Sequence, residues 1–245
     1  MSWHTGPLAA FDLETTGPKP TDDLIVTGTV WRYSPGEQAS DTTLLMDPGV
    51  PIPEQATNIH GITTEHAQRD GIPAGEAVPV LAALLADHVA DGAPIVIYNA
   101  PFDLTMLERE CRRHGVPTLF DLCARDQLTP YFIDPLVLDR LIDPRRTGSR
   151  KLAAVCAHYG VDLSDEDAHT SNGDCLAAAR LAYRMASRFP KLAAMPLPEL
   201  QARQTAAYRE QAHQFAARAQ GMGIVRDVPT EWPYVPARPV QESLI

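Results

Sequence analysis

Apolar and polar positions along the chain change period several times, and each change marks an element. Residues 7–13 open on the apolar run Leu8-Ala9-Ala10-Phe11 and end in acidic residues, which predicts a buried strand. Ile25 to Tyr33 is β-branched and aromatic, a second strand. Thr42 to Met46 predicts a short third strand, closed by Asp47-Pro48-Gly49. From Ala77 to Ala90, Val80, Leu81, Leu84, Leu85 and Val89 recur at helical spacing. Pro94 to Tyr98 reads as a buried strand, and Asp103 to His114 as a helix with Leu104, Leu107 and Cys111 on one face and Gly115 as its stop. Leu136-Val137-Leu138 predicts a short last strand leading into Asp139. Two helices follow, Lys151 to Tyr159 and the alanine-rich Asp174 to Phe189. Three strands and then alternating helices and strands give an α/β class with a mixed sheet.

The pattern changes after Phe189. Pro190, Pro196 and Pro198 punctuate a linker, and Glu199 to Gln220 predicts a polar helix with a thin stripe of Leu200, Ala207, Gln211 and Phe215. Beyond Gly223 the prolines at 229, 233, 236 and 239 disfavour regular structure and suggest an extended spacer. This divides the chain into residues 1–189 and a C-terminal helix and proline-rich tail, 190–245.

With 245 residues and a hydrophobic fraction of 44%, the chain has the size and composition of a soluble globular protein. No apolar run approaches a membrane span, and the N-terminus lacks the pattern of a signal peptide. Four cysteines, Cys111, Cys123, Cys156 and Cys175, occur without a Cys-x-x-Cys pair, which fits reduced thiols in a cytoplasmic protein rather than a zinc or redox motif. The net charge of −10 argues against broad, non-specific binding of long duplexes. It leaves open a site that binds cations first, since bound metal inverts the local charge. Two basic clusters, Arg109-Arg112-Arg113-His114 and Arg145-Arg146-Arg150-Lys151, read in the first place as solvated surface.

Asp12 and Glu14 stand two apart on one strand and therefore share a face. Two like charges that close repel unless a cation lies between them. Thr15-Thr16-Gly17 follow, with hydroxyls and amides suited to a ribose or phosphate. Asp103 follows a buried strand at a helix start, where a capping role is also common. Asn99 and Phe102 beside it fit a turn and a core position as well as a substrate contact. Asp174 sits in Ser171-Asn172-Gly173-Asp174, a capping-box-like pattern. His169, five residues earlier in a polar stretch, is placed where a general base reaches a water near that carboxylate.

The segments Phe11-Asp12-Leu13-Glu14-Thr15-Thr16-Gly17, Ile59-His60-Gly61-Ile62-Thr63, Tyr98-Asn99-Ala100-Pro101-Phe102-Asp103, Asp139, the Lys151-to-Gly160 helix and His169 with Asp174 together resemble the DEDDh class of DnaQ-like 3′–5′ exonucleases, which includes polymerase proofreading subunits and RNase T. The resemblance spans roughly residues 7 to 186. It implies a ribonuclease H-like fold, a five-stranded mixed sheet flanked by helices with the second strand antiparallel. It also implies two divalent cations, Mg²⁺ or Mn²⁺, held by Asp12, Glu14, Asp103 and Asp174, with His169 as general base. Leu13, Thr15, Thr16, His60, Ile62, Asn99 and Phe102 would hold the terminal nucleotides of a strand with a free 3′ end, single or frayed. DNA and RNA both remain open as substrate, and an inactive nucleic-acid-binding module on the same fold is the remaining alternative. One departure stands out: family members usually carry small or apolar residues between this histidine and aspartate, whereas Asn172-Gly173 here should loosen the first helical turn. Finally, Gln241-Glu242-Ser243-Leu244-Ile245 is similar to bacterial sliding-clamp-binding peptides, which makes a clamp a candidate partner.

Overall fold

The computed structural model describes residues 2–164, 168–225 and 228–237. In chain order it contains β1 (Leu8–Thr15), β2 (Ile25–Tyr33), β3 (Ser40–Asp47), α1 (Glu54–His60), α2 (Thr64–Asp70), β4 (Ile72–Pro73), α3 (Ala74–Ala90), β5 (Ile95–Val96), α4 (Ala100–Arg113) and α5 (Leu119–Arg125). There follow β6 (Phe132–Ile133), α6 (Pro135–Ile142), α7 (Leu152–Tyr159), α8 (Ser171–Arg188), α9 (Pro190–Ala193) and α10 (Leu197–Gly221). The sheet has the order β4-β3-β2-β1-β5-β6. β2 runs antiparallel to β1 and β3, while β5 and β6 run parallel to β1. This is the ribonuclease H-like α/β arrangement, with a sixth strand added to the expected five: Ile72 and Pro73 pair with Met46 and Asp47 at the far edge.

Period-two alternation on β1 sorts its side chains between two cores. Ala9, Phe11 and Leu13 face the layer built by α3, α4 and α5. Leu8 and Ala10 face the layer built by α7, α8 and α9. Asp12 and Glu14 continue the second series, so both fall on the α8 face where the strand leaves the apolar core. Close packing on the other face needs Gly28 of β2, because a Cβ there would stand 2.5 Å from Leu81 Cδ1 of α3. The sheet thus holds the acidic strand end rigidly from both sides.

The expected last strand over Leu136-Val137-Leu138 is a helix instead, and the strand lies just upstream at Phe132–Ile133. The cause is local: Asp134 caps Leu136 and Val137 through its carboxylate, and Pro135 occupies the first helical position, where a missing N–H is no loss. Three helices of seven residues each, α1, α2 and α5, were not visible in the periodicity.

α10 closes the β6 edge. Gln201 accepts from Phe132 N at 2.8 Å and donates to Pro130 O at 3.2 Å. One turn on, Gln204 accepts from Asp134 N at 2.7 Å and donates to Phe132 O at 2.8 Å. Two side-chain amides stand in for a missing strand and cover an edge that would otherwise invite pairing. Residues 228–237 are docked rather than a free spacer. Trp232 is buried in the first core, Tyr234 stacks on Phe120 at 4.1 Å between centroids, and Val235 N donates to Thr105 Oγ1 at 2.9 Å. The clamp-like residues Gln241 to Ile245 lie outside the described residues. All four cysteines are buried free thiols, and among the described residues no helix is long and apolar enough to cross a membrane.

Candidate active site

Three elements deliver the acidic residues to one place. β1 supplies Asp12 and Glu14 just before a register shift between Glu14 and Thr15, beyond which the pairing with β2 resumes at Thr15 and Ile25. α8 supplies Asp174 from its first turn. One carboxylate oxygen each of Asp12, Glu14 and Asp174 lies within 4.8 Å of the other two, and each residue is partly accessible.

Asp103 comes from the first turn of α4, which begins at Ala100 rather than at Asp103 itself. β5 ends at Val96, so β1 outruns its parallel neighbour and its later amides lose their strand partner. Asp103 Oδ1 takes one of them, accepting from Leu13 N at 3.1 Å. The carboxylate therefore docks on the strand that carries Asp12 and Glu14. The launch of α4 is set by Asn99, which adopts a left-handed conformation (φ 67°) and is held there by Asp134, whose two oxygens accept from Asn99 N and Ala100 N at 3.1 and 3.0 Å. Asp134 was missed in the sequence, although Asp-Pro before an apolar run is a helix-start signal.

Burial and mutual repulsion outweigh what compensates these carboxyls. Burial first, then Asp103, Asp174 and Glu14, push Asp12 well above the usual carboxylate range. Burial and then Asp174 push Glu14 up to about 8. Burial raises Asp103 strongly, with the Leu13 N–H pulling back. Burial also raises Asp174, while the charge and backbone N–H of His169 act in the opposite direction. Among the described residues no lysine or arginine forms an ion pair with Asp12, Glu14 or Asp174, whereas the basic clusters pair elsewhere. Three oxygen donors of one sign, mutually repelling and open on one side, fit a hard divalent cation.

His169 is exposed and adopts a left-handed conformation (φ 65°). The cap on α8 lies one residue earlier than the Ser171-x-x-Asp174 pattern suggests: Thr170 Oγ1 accepts from Gly173 N at 3.1 Å. Asp174 therefore has no Ser171 cap to complete: its carboxylate takes the His169 backbone N–H and lies in the cluster.

The His60 ring lies beside the Thr15 carbonyl, its Nδ1 accepts from Ile62 N at 3.1 Å, and its Nε2 is buried without a partner. Gly61 ends α1 in a left-handed conformation (φ 76°), and Ile62 packs partly buried between α1 and α2. Thr15 and Thr16 are buried, and their hydroxyls serve the turn: Thr15 Oγ1 donates to Gly17 O at 2.8 Å, and Thr16 Oγ1 accepts from Leu24 N at 3.0 Å. Leu13 and Phe102 pack in the first core. The basic clusters are largely neutralised at home. Arg109 and Arg112 pair with Glu108, Arg113 with Glu110, and Arg146 and Arg150 with buried Asp139.

An exonuclease family model, RNase_T, matches residues 9–182, the span that carries every element of this site. The chain belongs to this exonuclease family. Among its relatives, the DNA polymerase III subunit epsilon-like protein of Rhodobacter capsulatus is 30% identical over 184 residues, covering 71% of this chain and 23% of that protein. The PolC-type DNA polymerase III of Lacticaseibacillus paracasei is 28% identical over 185 residues, 76% of this chain and 12% of the relative. The chain thus corresponds to less than a quarter of the length of either. Among solved structures, E. coli exonuclease I in complex with a dT13 oligonucleotide superposes with a TM-score of 0.64 at 19% identity, over 76% of this chain and 42% of that one. The fold is shared with exonuclease I, and the matched family is the one that places this chain among RNase T- and DnaQ-type proteins.

Proposed function

We propose that this exonuclease is metal-dependent, works from the 3′ end, and releases nucleoside 5′-monophosphates from single-stranded or frayed DNA. The observation that carries the reading is the convergence of Asp12, Glu14 and Asp174, one carboxylate oxygen of each within 4.8 Å of the others, with no arginine or lysine ion-paired to them among the described residues. Asp12, Glu14 and Asp174 would hold one Mg²⁺ or Mn²⁺, with Asp12 shared and Asp103 supporting a second. Bound divalent ions supply the charge that activates a water and offsets negative charge on the attacking and leaving oxygens of an in-line displacement. His169, exposed on its loop beside Asp174, takes the proton of the attacking water. His60 and Ile62 on one side and Leu13 and Phe102 on the other bound the place of the last bases, where contact with any base face is sequence-tolerant. Thr15 and Thr16 shape the turn that meets the terminal sugar, Thr16 still having its hydroxyl proton to donate. Asn99, held in its strained turn, sets where Phe102 and Asp103 begin.

DNA is favoured over RNA by the similarity to polymerase-associated relatives and to exonuclease I bound to a deoxyoligonucleotide. The test is digestion of one sequence as single-stranded DNA, mismatched duplex and RNA, labelled at either end. Early release of a 3′ label as a mononucleotide, a shrinking ladder from a 5′ label, and silence in EDTA are expected. Cleavage of a covalently closed single-stranded circle, or rates unchanged in EDTA, would refute the reading. A sliding clamp as partner rests on Gln241 to Ile245 alone, and titration of the 237–245 peptide into a bacterial clamp tests it. Saturable binding is expected, and none at high micromolar peptide would end it.

A further inference from the structure

Asp174 sits in a helical turn that its own sequence weakens. Asn172 and Gly173 precede it, and glycine costs more than any residue but proline inside a helix. The turn nevertheless forms from Ser171 onward. The Thr170 cap accounts for part of this. The rest lies on the sheet side, where Ser171 is 4% exposed and its hydroxyl meets β2.

Ser171 Oγ stands 2.7 Å from Thr29 Oγ1 and 3.3 Å from Thr27 Oγ1. Thr29 Oγ1, fully buried, is in turn 2.8 Å from Thr43 Oγ1 of β3, and Thr43 donates to Asp41 Oδ2 at 3.3 Å. Each hydroxyl has one proton to give, and an ionised carboxylate only accepts. The protons therefore run one way: Thr27 donates to Ser171, Ser171 to Thr29, Thr29 to Thr43, and Thr43 to Asp41. Every hydroxyl in the buried part is used once as a donor, and Ser171, Thr29 and Thr43 each accept once. One residue past Asp174, Cys175 Sγ lies 3.4 Å from Thr29 O, a second tie to the same strand position.

The register gives this ladder its meaning. Thr29 pairs directly with Asp12, and Thr27 with Glu14, across the β1–β2 ladder. Directly opposed residues share a face, so Ser171 is seated on the cross-strand neighbours of the two β1 carboxylates. Ser171 and Asp174 are three apart on the helix and therefore on one side of it. Fixing Ser171 fixes the height and rotation of the turn that presents Asp174.

We propose that the Thr29–Ser171 hydroxyl ladder, completed by Thr27 and Thr43, is a positioning device that locks the first turn of α8 and so keeps Asp174 in the ligand set with Asp12 and Glu14. None of the four belongs to the ligand set; they act through Asp174. The inference rests on the metal-binding reading of the cluster and deepens it.

The test crosses shape against hydrogen bonding at Thr29. Thr29→Val keeps the volume and removes the hydroxyl, whereas Thr29→Ser keeps the hydroxyl and removes a methyl. Mn²⁺ is titrated calorimetrically into each protein, with half-saturating Mn²⁺ and limiting rate read separately in a nuclease assay. Loss of a residue that orients a ligand costs about 10–100-fold in metal affinity. That loss is expected for Thr29→Val, with Thr29→Ser near wild type and the limiting rate at saturating Mn²⁺ moved far less than the half-saturating concentration. Ser171→Ala, which removes one oxygen, repeats the measurement should Thr29→Val fold poorly. Mn²⁺ affinity unchanged in Thr29→Val and Ser171→Ala, or lowered equally by Val and Ser, would overturn the ladder alone. Wild-type protein that binds no Mn²⁺ would overturn the metal-site reading and the ladder with it.

Discussion

On and just before α6, Asp134 and Asp139 are completely buried, yet each charge meets partners from the chain: Asp134 accepts from four backbone amides, and Oδ2 of Asp139 receives both Arg146 and Arg150. At the end of β1, Asp12, Glu14 and Asp174 are partly accessible, yet have chiefly one another. A structural carboxylate brings its partner from the same chain, because an unpaired buried charge is costly. A cluster without such partners is organised for something the chain does not contain. The same residue type thus serves as scaffold in one region and as ligand in the other.

The comparison breaks or sharpens at four points, taken from the largest expected effect down. Asp12→Asn should reduce degradation of a single-stranded substrate to background in a gel assay while the fold, followed by circular dichroism, persists. Substantial residual activity would show that Asp12 is no ligand. His169→Ala should lower turnover by about 10²–10⁴-fold, the range for loss of a general base, with calorimetric Mn²⁺ binding retained. Turnover within a few-fold of wild type would place the base elsewhere. Asp139→Ala should do the reverse of Asp12→Asn. Two guanidiniums lose their buried partner, and urea unfolding should show a loss of about 3–5 kcal/mol. An unchanged midpoint would mean that the scaffold carboxylate is dispensable.

The smallest effect is in pH. Glu14 rises from an ordinary 4.5 to about 8 in the metal-free fold, and Asp12 and Asp174 rise with it. The native state then holds protons that the unfolded chain has released, so this cluster's contribution to stability is fully present below the ordinary carboxylate range and is lost as pH climbs toward 8. Urea midpoints in EDTA should be lower at pH 8 than at pH 5, and Asp12→Asn should flatten the slope. A midpoint that rises over that interval would contradict the electrostatics of the cluster.

Much of this was legible in the sequence where a period is long enough to see. β1 through β3, α3, α4, α7 and α8 follow their apolar spacing, and the shared face of Asp12 and Glu14 follows from strand geometry. Asp174 and His169 were legible through the order of motifs, not through local pattern, since Ser171-x-x-Asp174 argued for a cap that Thr170 supplies. α6 was misread because three apolar residues carry no period, and the decisive signal was the preceding Asp134-Pro135. The hydroxyls of Thr27 and Thr29 were invisible as a device, because threonine is ordinary in strands and only the register places them against Ser171. Gln201 and Gln204 lie outside the stripe read for that helix, and their bonds to β6 depend on where α10 docks.

The contrast between the two regions is tested most directly by melting wild type and Asp12→Asn side by side, metal-free and with Mn²⁺. In EDTA at pH 8, Asp12→Asn should melt higher than wild type, because one member of a self-repelling cluster has been neutralised. With Mn²⁺ the order should invert, the wild type gaining stability through binding and the variant gaining little. Asp12→Asn melting below wild type without metal, or an equal Mn²⁺ shift in both proteins, would contradict the reading of this cluster as a cation site.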